Sequence, residues 1–142
     1  MKKIGIILRP FQENKIEYLG VRRDLFSILE RFPVNTIGIP ITNKIEHIEE
    51  IIGECDGIIL SGGNTITEND YQLVKYLYEN NIPTLGICLG MQSMALTFNN
   101  NIEMKVKGHY SNEKYVHSIN INENSTLFKI LNKNKIDVNS RH

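Results

Sequence analysis

The chain has 142 residues, of which 41% are hydrophobic, so its length and composition predict a single domain over residues 1–142 with one ordinary core. Sixteen basic and sixteen acidic side chains give a formal net charge of zero, which argues against nucleic acid or an anionic membrane as a partner. No apolar run is long enough to span a bilayer and no signal peptide is recognisable, so we expect a cytoplasmic protein. Composition leaves the oligomeric state open.

In chain order, the hydrophobic pattern predicts strand 4–8, helix 16–32, strand 34–39, helix 45–52, strand 58–60, helix 70–80, strand 83–87 and helix 89–98. The strands are short, continuous apolar runs, which suits strands that are buried on both faces. This alternation predicts an α/β fold with an open, mainly parallel sheet and helices on both faces.

The pattern becomes less regular after residue 101. It predicts extended segments at 103–107 and 115–121, a helical turn at 125–131 and a strand at 136–139. No repeat or linker separates this half from the first. We therefore expect it to add strands to the same sheet.

Cys88 lies between a predicted strand and a predicted helix, in the segment G-I-C-L-G-M-Q that spans residues 86–92. Gly86 and Gly90, two residues on either side, allow the close backbone approach that a nucleophile elbow requires. A cysteine at a helix N-terminus is favoured as the thiolate, which is its reactive form. The amide of the next residue, Leu89, is placed to donate to an oxyanion.

A second oxyanion donor is expected from Ser61-Gly62-Gly63-Asn64, because this loop follows the neighbouring buried strand. Gln92, in the first turn of the helix, is either a substrate contact or a solvated side chain. The other cysteine, Cys55, has no glycine frame and is interpreted as structural. Neither cysteine has the spacing of a metal site, and we expect no metal and no cofactor.

The segments Leu60-Ser61-Gly62-Gly63 and Gly86 to Gln92 resemble those of the class I (triad) glutamine amidotransferases. The segment Val138-Asn139-Ser140-Arg141-His142 is similar to the V-N-S-x-H segment of the γ-glutamyl hydrolase branch of that superfamily. The γ-glutamyl-γ-aminobutyrate hydrolases are the nearest named type.

The resemblance implies that a cysteine thiolate attacks a γ-glutamyl amide, that a glutamyl thioester forms, and that water then releases glutamate. By position, Cys88 is the nucleophile, and Gly63 and Leu89 supply the oxyanion amides. Gly62, Gln92 and His142 are implied to line the glutamyl pocket. The implied partner is a small γ-glutamyl substrate.

In that family the general base and its carboxylate partner come from a later H-P-E segment. These 142 residues contain no His-Pro pair, so we expect a C-terminally truncated chain that lacks the triad His and Glu and has little turnover. Among the four histidines, His47 is expected on a helix surface. His109, His117 and His142 are the internal candidates for a replacement base.

Two alternative functions stay open. The chain could be the glutaminase subunit that supplies ammonia to a partner synthase, in which case glutamine hydrolysis should rise when the partner is added. It could instead be a catalytically inactive γ-glutamyl-binding domain, which an in-frame coding continuation with an H-P-E segment would exclude.

Overall fold

In the computed structural model, the residues described are 1–41, 44–99 and 109–140. The chain divides into two compact units, residues 1–102 and residues 103–142. The first unit contains β1 (Lys2–Glu13), β2 (Ile16–Gly20), α1 (Arg23–Leu29), β3 (Val34–Pro40), α2 (Ile45–Gly53), β4 (Gly57–Leu60), α3 (Glu68–Glu79), β5 (Thr84–Gly86) and α4 (Leu89–Phe98). The second contains β6 (His117–Asn120), α5 (Thr126–Leu131) and β7 (Lys135–Val138).

The sheet of the first unit is mostly parallel. The first half of β1 pairs in parallel with β3 on one side and with β4 on the other, and β4 pairs in parallel with β5. The second half of β1 continues past these strands and pairs antiparallel with β2. The predicted α/β class with a mainly parallel sheet is therefore confirmed.

The predicted helix 16–32 is wrong over its first part, because Ile16–Gly20 forms β2. Asn14 and Lys15, the two residues between β1 and β2, have φ angles of 51° and 65°. Two left-handed residues make the tight turn that suits the twist of a two-stranded hairpin. The ring of Tyr18 then stacks on that of Phe11 at 5.5 Å, and this cross-strand contact prevails over the helical spacing of the apolar residues.

The main core lies on one face of the sheet. Strand residues Ile7, Ile39, Ile58 and Leu60 pack there against buried residues of α2 and α3, namely Ile48, Ile52, Leu73, Val74 and Leu77. The connection from β1 to β3 crosses the sheet in the opposite direction from the connections β3 to β4 and β4 to β5. Because connections of this kind are right-handed, α1 lies on the face opposite α2 and α3. Helix α1 buries none of its residues.

The expectation that the residues after 101 add strands to the same sheet is wrong for the described residues 109–140. Strands β6 and β7 pair antiparallel with each other and form a sheet of their own. The predicted strand 103–107 lies outside the described residues. The single-domain interpretation of residues 1–142 stays a prediction. None of the described helices combines the length and the apolar character needed to cross a membrane.

Candidate active site

The backbone turns sharply at Cys88, which lies between the end of β5 at Gly86 and the start of α4 at Leu89. Its φ is 51° and its ψ is −112°, a combination that residues other than glycine rarely adopt. The residue is exposed, so the turn presents the thiol to solvent at the N-terminus of α4. Backbone strain of this kind costs about 1–3 kcal/mol and persists only where surrounding structure imposes it.

Three backbone hydrogen bonds hold this turn. The N–H of Ile87 donates to the Leu60 carbonyl at 2.9 Å, which ties the elbow to β4. The N–H of Gly90 donates to the Ile87 carbonyl at 3.0 Å, and the N–H of Gln92 donates to the Cys88 carbonyl at 3.0 Å. Hydrogen bonds therefore hold the turn both on its strand side, at Ile87, and on its helix side, at Gly90 and Gln92.

The two glycines that frame the elbow are required by close backbone packing. A Cβ at Gly90 would lie 2.1 Å from the Leu60 carbonyl oxygen. A Cβ at Gly86 would lie 2.6 Å from the backbone nitrogen of Met91. Only glycine allows α4 to cross the ends of these strands at such short range, so the glycine frame predicted from the sequence is present.

The loop after β4 lies against the elbow. A Cβ at Gly62 would lie 3.5 Å from that of Cys88, and one at Gly63 would lie 3.0 Å from Cδ2 of Leu89. Ser61, at the start of the loop, is buried and donates from Oγ to the Ile7 carbonyl at 2.5 Å. The structure therefore brings together the two segments that the sequence analysis had linked.

A buried ion pair beneath this loop was not found by the sequence analysis. Nη1 of Arg9 donates to Oδ1 of Asp70 at 2.5 Å, and Nε of Arg9 donates to the Ser61 carbonyl at 3.0 Å. The other carboxylate oxygen, Oδ2, accepts from the Thr67 amide at 2.8 Å and from its hydroxyl at 2.9 Å. The signals available in the sequence were an arginine directly after the predicted strand 4–8 and the T-x-x-D spacing of a helix start.

The remaining predicted residues are placed as follows. Gln92 is half-buried in the first turn of α4, and His47 is exposed on α2. In the second unit, the ring of His109 stacks on that of His117 at 4.4 Å and has its Nδ1 3.1 Å from Oγ of Ser140. His142 lies outside the described residues, and a part for any of these histidines in catalysis stays a prediction.

Cys55 differs from Cys88 in its surroundings. Its Sγ is half-buried and donates to the Ile51 carbonyl at 3.2 Å. Burial raises the pKa of the Cys55 thiol. These features agree with the structural interpretation of Cys55.

Iodoacetamide is expected to alkylate Cys88 well before Cys55 at about pH 8, since only a thiolate reacts and a raised pKa lowers its fraction at that pH. Peptide mass mapping over a time course would measure both rates. Equal rates for the two thiols in the folded chain would contradict the assigned environments.

An open groove between α3 and α4 lies away from the elbow. It is lined by Glu68, Tyr71, Gln72, Lys75, Leu96 and Thr97. Leu96 follows Cys88 by eight residues, which corresponds to about 12 Å along a helix. Within ranges 1–41, 44–99 and 109–140, no three His, Cys, Asp or Glu side chains cluster so as to hold a metal ion. The elbow remains the candidate active site.

Comparisons with known proteins relate the chain to a known family. Residues 16–142 match the sequence model of the family described as glutamine amidotransferase class-I. A CTP synthase from Chlamydia trachomatis is 30% identical over 102 residues, which make up 70% of this chain and 19% of that enzyme. CTP synthases from Lactiplantibacillus plantarum and Lactococcus lactis are 42% identical over 59 residues and 41% identical over 70 residues.

The alignments with these last two cover 40% and 48% of this chain but only 11% and 13% of the enzymes. The chain thus spans a small part of the length of the relatives it matches. Among solved structures, the glutaminase domain of Trypanosoma brucei CTPS with bound acivicin aligns over 100% of this chain and 67% of that one. Its TM-score is 0.65 at 16% sequence identity, which shows a shared fold.

Proposed function

The chain belongs to the class-I glutamine amidotransferase family, and on that premise we propose that it provides the nucleophile, Cys88, for hydrolysis of the γ-amide of glutamine through a glutamyl thioester. The observation that carries this proposal is that the Gly62-Gly63 loop lies against the elbow, so that the loop and the first turn of α4 both bring backbone N–H groups near an exposed thiol. Such an arrangement suits acyl transfer, in which negative charge develops on the substrate carbonyl oxygen.

In the proposed reaction the Cys88 thiolate attacks the amide carbon, and the Sγ–C bond forms. The amide of Leu89, which opens α4 and so has no acceptor within the helix, donates to the oxyanion together with the amide of Gly63. The C–N bond then breaks, and the leaving nitrogen takes up the proton that the thiol lost on forming the thiolate, so that ammonia departs. Water attacks the thioester, which releases glutamate and the thiol.

Further roles are proposed for two residues. Gly62, beside Cys88, and Gln92, half-buried one turn into α4, would line the glutamyl pocket. The pocket role that the sequence resemblance implies for His142 stays a prediction. Because the reaction needs a reduced thiol, we place it in a reducing compartment such as the cytoplasm.

The similarity to CTP synthases supports one use for the ammonia, namely its transfer to a synthase domain or subunit. A second candidate is hydrolysis of a γ-glutamyl amine, as in the γ-glutamyl hydrolase branch. The segment Val138-Asn139-Ser140 favours it. Ser140 is buried, and its Oγ lies 3.1 Å from Nδ1 of His109.

Acivicin, which is bound in the Trypanosoma brucei structure, is expected to add once to Cys88. Intact-mass measurement would follow the adduct, and peptide mapping would locate it. L-Glutamine should slow the reaction, whereas D-glutamine at the same concentration should not. A folded chain whose Cys88 reacts with iodoacetamide but not with acivicin would contradict the proposal. Protection by a γ-glutamyl amine but not by L-glutamine would favour the second candidate.

A further inference from the structure

We infer that Arg9 is a positioning residue, which through its ion pair with Asp70 holds the Gly62-Gly63 loop in place beside Cys88. The inference rests on the proposed function for the role of that loop. Arg9 is itself buried, with 4% of its surface exposed.

The ion pair is hydrogen-bonded to both ends of the loop. Ser61 begins the loop, and its carbonyl accepts from Nε of Arg9. Thr67 ends the loop, and its backbone N–H and hydroxyl both donate to the Asp70 carboxylate that pairs with Arg9. The two ends of a seven-residue loop therefore converge on a single pair of charges.

The middle of the loop rests on the arginine side chain. A Cβ at Gly63 would lie 2.6 Å from Cδ of Arg9, so the backbone there lies directly over the arginine stem. The same glycine approaches Leu89, and its neighbour Gly62 approaches Cys88. A displacement of the Arg9 side chain would consequently change the distance between the loop amides and the elbow.

Burial makes a purely stabilising role a poor explanation of this pair. The Arg9 and Asp70 side chains are 5% and 1% exposed, and removing two charges from water opposes folding. Nη2 of Arg9 is also buried, and among the described residues it has no hydrogen-bond partner. Replacing both members of such a pair with apolar side chains of similar volume is often neutral or stabilising. What they cannot do is bind two separate acceptors at defined directions, as the arginine fork does.

The test compares Arg9→Lys and Arg9→Met with wild type, and uses Arg22→Met as the matched control. Arg22 pairs with Asp24 on the surface, where the two side chains are 87% and 71% exposed. Lysine keeps the positive charge opposite Asp70, but its single ammonium group cannot reproduce the second hydrogen bond, which Nε of Arg9 donates to the Ser61 carbonyl. Thermal unfolding followed by circular dichroism establishes which variants are folded.

The first readout is the ¹⁵N backbone order parameter of Gly62 and Gly63, which does not depend on any activity. We expect about 0.85 in wild type and in Arg22→Met, and a value below about 0.6 in folded Arg9 variants. Wild-type order parameters in folded Arg9→Lys would overturn the inference. If Arg9→Met does not fold, Arg9→Lys alone decides the matter.

The second readout is the ratio of the acivicin rate to the iodoacetamide rate at Cys88. Iodoacetamide reports only the accessible thiolate, whereas acivicin has to be held in the pocket. We expect the ratio to fall on the order of tenfold to a hundredfold in Arg9→Lys and to stay unchanged in Arg22→Met. An unchanged ratio in Arg9→Lys would overturn the inference. Wild-type chain that does not react with acivicin would contradict the proposed function instead, and the order parameters would still decide the role of Arg9.

Discussion

Replacing Gly90 with alanine is expected to lower the free energy of unfolding by about 3 kcal/mol or more. A Cβ at this position would lie 2.1 Å from the Leu60 carbonyl oxygen and 2.6 Å from the Leu60 carbonyl carbon. These are backbone atoms of a buried strand, so they cannot move aside as the end of a flexible side chain would. The loss would be a large share of the 5–15 kcal/mol that is typical of a folded domain.

The matched control for this substitution is Gly53→Ala. Gly53 is the last residue of α2, and a Cβ there would meet nothing within 4 Å. Because alanine favours a helix over glycine, we expect a neutral effect or a gain of up to about 1 kcal/mol. Urea unfolding followed by circular dichroism would measure both variants. Equal stability of Gly90→Ala and wild type would contradict the close crossing of α4 over β4.

Replacing Cys88 with alanine is expected to reduce acivicin labelling to background, while the free energy of unfolding stays close to that of wild type. The thiol is exposed, so its removal leaves no buried cavity. The strained backbone of the turn is retained, because alanine meets the same restriction at a φ of 51° as cysteine does. The substitution therefore separates chemistry from folding.

Cys55→Ala serves as the control for Cys88→Ala. Cys55 precedes β4 and its thiol contacts the Ile51 carbonyl, away from the elbow. We expect this variant to react with acivicin at the wild-type rate, as measured by intact mass, although loss of a half-buried side chain should lower its stability. Labelling that persists in Cys88→Ala and disappears in Cys55→Ala would show that Cys55, and not Cys88, is the reactive thiol.

Much of the first unit could be predicted from local patterns. Strands β3, β4 and β5 and helices α2, α3 and α4 lie within a few residues of the predicted ranges, because each has a continuous apolar run or an apolar stripe of helical spacing. The helix predicted over Ile16–Gly20 is wrong because the strand conformation there depends on pairing with β1. Strand preference varies with such partners more than helix preference does. The separate sheet of β6 and β7 was missed for the same reason.

The sequence by itself determined the elbow at Cys88, because a sharp strand-to-helix turn imposes its glycines at Gly86 and Gly90 over a few neighbouring residues. It also identified the Gly62-Gly63 loop as the companion segment. Only the tertiary structure decided what supports that loop. Arg9 and Asp70 are 61 positions apart, and each taken alone is an ordinary polar residue. They become an ion pair only when the fold brings Arg9, which lies within β1, to the first turn of α3, where both side chains are buried.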